Sequence, residues 1–220
     1  ITGDRYTSKE FKDQEWTHMW RRVWMIAGMA DDCAEPGDFF TCDLGHEPLL
    51  FVRGKDGVNG FYNICQHRGA RLVLQEKGMM DSFSCIYHGW KYGLEGELIE
   101  AQDRDDFERD PCEHVRLADF RTEIFAGFVW YCLDDDAPGL DEFLGDMKEQ
   151  LESWQLNDGF RVEHFTVELP CNCHQLHQNA PQLSHHSVPQ RLNPVKFCIL
   201  DQHLCRLPCL AKNNPLIRVY

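Results

Sequence analysis

The chain has 220 residues, 43% hydrophobic and 26% charged, which is enough apolar material to bury a core and excludes wholesale disorder. Its 36 acids outnumber its 22 bases for a formal charge of −14, which argues against a nucleic-acid partner, since that needs a basic face. No apolar run approaches the ~20 residues of a membrane span and no export signal opens the chain, so a cytoplasmic location without a membrane partner is expected. The chain opens on Ile1 rather than Met, from which a fragment is expected.

Thr7-Ser8-Lys9-Glu10 has the form of a capping box, with Thr7 as the cap and Glu10 reaching back. Trp16, Met19, Trp20, Val23 and Trp24 follow at helical spacing and predict a docking stripe within an N-terminal helical segment, residues 1–38. From Phe39 to Leu133 the pattern changes to short strands and turns, so the fold class is mainly β, with an antiparallel β domain over 39–135. Leu49–Arg53 and Val58–Ile64 flank Lys55-Asp56-Gly57 and predict a hairpin. Ile124–Leu133 is a long apolar run of β-formers in which Gly127 predicts a bulge or a close approach.

Asp134-Asp135-Asp136-Ala137-Pro138-Gly139 has the composition of a linker. Leu140, Phe143, Leu144, Met147, Leu151 and Trp154 then fall on one face of a single predicted amphipathic helix. Phe160–Leu169 is predicted as a strand, so residues 136–170 would begin a second, α+β domain. Composition breaks near Pro170. Residues 171–220 hold one acid, Asp201, against five bases, and no Gly, Glu, Trp, Met or Thr.

The odd total of 11 cysteines argues for a reducing compartment over a disulfide framework. Cys33, Cys42, Cys112 and Cys132 stand singly and are expected to be ordinary thiols. Cys65-Gln66-His67 and Cys85-Ile86-Tyr87-His88 differ: each pair is short enough for one loop tip, and a hairpin through residues 68–84 would bring the tips together. Two thiolates and two imidazoles suit a structural zinc ion or a [2Fe-2S] cluster with two His on one iron. Zinc fingers usually pair Cys with Cys and His with His, whereas each half here carries one of each, which favours the cluster. His67-Arg68-Gly69-Ala70 and His88-Gly89-Trp90-Lys91-Tyr92 place a Gly soon after each His, where backbone amides can approach sulfur.

On these two boxes the sequence resembles the large (alpha) subunits of Rieske non-haem iron oxygenases, the aromatic-ring-hydroxylating enzymes and their relatives, over roughly residues 7–172. The resemblance implies a Rieske [2Fe-2S] cluster, with Cys65 and Cys85 on one iron and His67 and His88 on the other. Ala70 and Tyr87 occupy the positions where cytochrome-complex Rieske subunits carry an extra disulfide, and Trp90 stands where they place a Ser that bonds a cluster sulfur, although Tyr92 remains. That is the pattern of the low-potential oxygenase branch. The family's role would be O2-dependent hydroxylation of an organic substrate, expected to be aromatic, with electrons from a reductase or ferredoxin. The resemblance further implies a homo-oligomer in which the cluster of one subunit serves the iron of its neighbour.

The family's mononuclear Fe(II) would need two His and a distant carboxylate. Here Cys171-Asn172-Cys173-His174 stands where Cys-Asn-Trp-Lys is expected. Asn179 and His185 then match, but Gln182 replaces the bridging acid and Gln190 the second His, while counting from His186 meets Arg191. The mononuclear site is therefore not supported, and catalytic residues are not assigned. Residues 171–220 are open to three readings: a divergent domain edge, a zinc-binding tail on Cys171, Cys173, His174 and His177, or an out-of-frame translation, which the missing residue types favour. An electron-transfer module without oxygenase chemistry and a zinc-stabilised β domain are the alternatives for the whole. His18, His46, His114 and His164 are expected to be ordinary surface or strand residues.

Overall fold

The computed structural model describes residues 8–159. The chain divides into two units, Ile1–Trp20 with Arg161–Tyr220, and Arg21–Phe160. In the first, helix α1 spans Lys9–Glu15. Its cap is Ser8, not Thr7, which lies outside the described residues: the Ser8 hydroxyl accepts the Phe11 N–H at 3.1 Å and donates to Glu10 at 2.9 Å. A π-helical stretch, Trp16–Trp20, ends the helical run, so Val23 and Trp24 do not extend the predicted stripe. The chain is extended again by Met25, because strand β1, Met25–Met29, takes its backbone bonds from a sheet partner. Trp24 is buried just before that strand, its indole N–H donating to the Pro138 carbonyl at 2.8 Å.

The second unit is mainly β and antiparallel, as predicted. Its further strands are β2 (Asp38–Leu44), β3 (Glu47–Arg53), β4 (Val58–Tyr62), β5 (Lys77–Met79), β6 (Phe83–Ser84), β7 (Lys91–Tyr92), β8 (Leu98–Glu100), β9 (Asp119–Phe125) and β10 (Phe128–Cys132). Seven form one sheet in the order β1-β10-β9-β4-β3-β2-β5, and β6-β7-β8 form a second. The β3–β4 hairpin turns at the predicted Lys55-Asp56-Gly57, closed by Gly54 N–H to Gly57 C=O at 2.8 Å.

The apolar run Ile124–Leu133 is two strands, not one. Ala126 and Gly127 take φ of +51° and +79°, a tight turn joining β9 to β10; Gly127 is no bulge, but the expected close approach is present, since a Cβ there would stand 3.1 Å from the Leu156 carbonyl oxygen. The irregularity lies instead in β1, between Ile26 and Gly28.

Strand β3 is central and buried on both faces, which explains its unbroken run Leu49-Leu50-Phe51-Val52. Leu50 and Val52 join Phe39, Phe61, Cys65, Cys85, Trp90 and Tyr92 in one core. Phe51 belongs to an aromatic group with Phe40 (4.9 Å between ring centres), Phe120 (5.5 Å) and Tyr131 (5.5 Å). Each such side chain contributes about 1.5–3 kcal/mol on burial.

The predicted single helix after the acidic linker is two, α2 (Leu140–Leu144) and α3 (Met147–Ser153). Gly145 breaks it at φ +50°, a conformation glycine adopts without a Cβ penalty, with its N–H on the Asp141 carbonyl at 3.1 Å. Leu140, Leu144 and Leu151 are buried, whereas Phe143 and Met147 of the predicted stripe are exposed. The strand expected at Phe160–Leu169, His164 and every residue singled out in 171–220 lie outside the described residues.

Candidate metal centre

Both Cys-His boxes fold as the same closed loop. An isolated bridge pairs Ile64 with Arg71, and the β6–β7 ladder pairs Ser84 with Lys91; each brackets six residues. Within the first loop, Cys65 N–H donates to Ala70 C=O at 2.8 Å and Gly69 N–H to Cys65 C=O at 3.0 Å. Within the second, Cys85 N–H donates to Trp90 C=O at 2.8 Å and Gly89 N–H to Cys85 C=O at 2.9 Å. Gly69 and Gly89 close the loops at φ +71° and +70°, which strains any residue with a Cβ.

The single hairpin expected through residues 68–84 does not form. β5 leaves to pair with β2, and β6 pairs forward with β7. The tips meet through side-chain burial instead. Cys65 and Cys85 are 1% and 3% exposed in the same core, and the His67 and His88 rings meet edge to face, 4.6 Å between centres.

The base of the first loop is clamped from behind. Asn63 is fully buried, and its amide pairs with Val73 as a strand would: Nδ2–H to the Val73 C=O at 2.8 Å and Val73 N–H to Oδ1 at 2.8 Å. Arg71 forks onto Asp43 at 2.8 and 3.2 Å. Asn63 was not singled out in the sequence; an amide directly after β4, two residues before Cys65, is the signal that marks it. The position of Trp90 was equally not foreseen: its indole stacks on His67, 4.7 Å between centres and 13° between planes.

Burial pushes the Cys65 thiol above its ordinary range, and the adjacent Cys85 adds to this. Burial lowers the His67 imidazole, helped by His88 and Arg68. Both side chains are thus held neutral, and a metal must displace the thiol proton. The Tyr92 hydroxyl stands 3.4 Å from Cys65 Sγ and accepts the Gln66 N–H at 3.0 Å. Burial pushes that phenol upward, so it keeps its proton and can donate to sulfur.

These residues fit an iron–sulfur group. His67 Nδ1 is buried without a hydrogen-bond partner, which costs free energy unless a metal takes the lone pair. Among the described residues no three Cys, His, Asp or Glu side chains converge as ligands of one ion. A tetrahedral zinc site requires four such ligands on one ion, whereas a cluster separates its two thiolates from its two imidazoles. Cys33, Cys42, Cys112 and Cys132 form no disulfide, and His18, His46 and His114 are exposed.

Residues 23–118 match the family model described as Rieske [2Fe-2S] domain. The glycine betaine monooxygenase oxygenase subunit of Pseudomonas aeruginosa is 28% identical over 82% of this chain and 42% of its own length. The biphenyl 2,3-dioxygenase subunit alpha of Rhodococcus jostii is 34% identical over 65% of this chain and 32% of its own. A crystal structure of the apo form of a quaternary ammonium Rieske monooxygenase, CntA, superposes with a TM-score of 0.71 at 29% identity, covering 77% of this chain and 50% of that one. The chain therefore spans less than half the length of these two relatives. No helix among the described residues is long and apolar enough to cross a membrane.

Proposed function

Because residues 23–118 match the Rieske [2Fe-2S] domain family, we propose that Cys65 and Cys85 hold one iron of the cluster and His67 and His88 the other. The observation that carries this assignment is the buried, unpartnered His67 Nδ1 beside His88, with Cys65 and Cys85 both buried in one core. When bound, the cluster takes up and releases one electron at a time. Cys65 and Cys85 would anchor it from the core side, Tyr92 would donate to the Cys65 sulfur once that is a thiolate, and Gly69 and Gly89 would close the loops around it.

We further propose that the chain is the cluster-bearing part of an oxygenase large subunit, receiving electrons from a reductase or ferredoxin for O2-dependent hydroxylation of an organic substrate. Residues 39–135 would be the cluster domain and 136–170 the start of a catalytic domain, in a cytoplasmic homo-oligomer. The relatives' names point both to glycine betaine and to biphenyl, so the substrate class stays at organic, with aromatic as one member of it. With Gln182 and Gln190 where an acid and a His are expected, residues 1–220 alone should reduce without substrate-coupled O2 consumption.

Aerobic purification tests the assignment: a red-brown protein with two irons and two acid-labile sulfides per chain is expected. Cys65→Ala should lose the cluster. A colourless protein carrying stoichiometric zinc, or a Cys65→Ala variant with the native paramagnetic spectrum, would overturn it.

A further inference from the structure

Trp90 belongs to the second loop, yet its indole lies on the imidazole of the first. Its carbonyl accepts the Cys85 N–H at 2.8 Å while its ring covers one face of His67, the planes only 13° apart. One residue therefore reaches from the backbone of a candidate ligand in one loop to the side chain of a candidate ligand in the other. The indole is itself fixed: it is 5% exposed, and the Phe107 ring meets it at 6.0 Å and 63°.

Histidine's outer torsion is broad and roughly two-fold, so something must choose its plane. A metal-ligating His usually has its plane set by hydrogen-bonded neighbours. Two rings stand against His67: Trp90 parallel to it, and His88 edge-on at 77°. A parallel stack resists rotation about the outer torsion, because turning the imidazole drives its edge into the indole. The orphaned Nδ1 lone pair lies in the plane so defined, and its direction follows from the stack. His88 is supported differently: Tyr87, tilted 57° against it, is 64% exposed.

We infer that Trp90 is the positioning residue for His67, fixing the imidazole plane that directs Nδ1 to iron, and that the two imidazoles are held unequally, His67 by a buried stack and His88 by a solvent-exposed ring. This inference rests on the ligand assignment proposed above. It concerns the aim of one ligand and not the presence of the cluster.

The test compares the holoprotein with Trp90→Phe and Trp90→Leu. Nitrogen couplings of the reduced cluster, resolved by pulsed paramagnetic resonance, report each imidazole, and the rate of iron loss to a chelator reports the strength of its hold. Trp90→Phe keeps a face to stack and should retain both nitrogen couplings, with iron loss within about twofold of the parent. Trp90→Leu keeps burial but removes the face; one coupling should broaden while the other stays, and iron loss should rise about five- to tenfold. Leu matching the parent in both readouts, or Phe disturbing them as much as Leu, would overturn the inference. Should Trp90→Leu fail to fold, Phe107→Ala removes only the ring against the indole edge and should broaden the same coupling; an unchanged spectrum there would overturn the inference too. A parent protein without a cluster would sink the ligand assignment instead.

Discussion

The hydroxyl of Tyr92 lies 3.4 Å from the sulfur of Cys65, 27 positions earlier in the chain, and accepts the Gln66 N–H at 3.0 Å. Tyr92 is fully buried on β7, so the ladder that shapes the second loop also delivers a donor to the first. The Gln66 N–H satisfies the phenol oxygen as an acceptor, and the Cys65 sulfur gives its buried proton somewhere to go.

Removing that hydroxyl should make the cluster harder to reduce. Tyr92→Phe leaves the apolar packing in place but withdraws a hydrogen bond that disperses charge from a thiolate. A downward shift in potential on the order of 50 mV is expected, corresponding to roughly 1 kcal/mol of differential bonding. Potentiometric titration of both proteins measures it, and an unchanged or higher potential contradicts the role given to Tyr92.

His88→Cys should keep the cluster and lower its potential on the order of 100 mV or more, because a thiolate adds negative charge where a neutral imidazole stood. Metal analysis and titration together decide this. Loss of the cluster would mean that the loop cannot accept sulfur at that position.

Asn63→Ala should destabilise the fold by about 2–4 kcal/mol. The cut removes two buried hydrogen bonds of 2.8 Å; it strands the Val73 N–H and leaves the Val73 C=O with the longer bond from Arg71 Nε–H at 3.3 Å. Denaturant unfolding with an unchanged slope measures the loss. A cost below about 0.5 kcal/mol would show that the loop base relaxes to water instead.

Glu95 ties the β3–β4 turn to the β7–β8 turn. Its carboxylate accepts the Lys55 N–H at 2.9 Å and the Asn59 amide at 2.8 Å, and the Lys55 backbone bond leads in holding it below its usual value of 4.5. A carboxyl depressed in the folded state contributes stability that is present above its unfolded value and lost as pH falls through the lower folded value. Glu95→Gln should therefore melt below the parent at neutral pH, and the two melting curves should converge as pH drops below about 4.5. Melting temperatures taken from pH 7 to 3 check this; a gap constant with pH would contradict it.

The primary structure alone determined the candidate ligands and the local geometry around them. Cys65-x-His67 and Cys85-x-x-His88 are spacings of two and three residues, and Gly69 and Gly89 mark turns that need positive φ; such features depend on bonds within one loop. The β3–β4 hairpin was legible for the same reason, its turn chemistry and flanking runs being contiguous. What joined the two loops was decided by the tertiary structure: β5 pairs with β2 and not with β6, Asn63 mimics a strand for Val73, Tyr92 reaches Cys65, and Trp90 covers His67. The helix after the acidic linker was misjudged on the same account, since a heptad-like stripe does not reveal that Gly145 lets the chain turn and bury Leu144 and Leu151 separately. Apolar residues are interchangeable in pattern but not in place. Which of them meet is settled by burial and by backbone hydrogen bonds between segments far apart in the chain, and no local window contains that information.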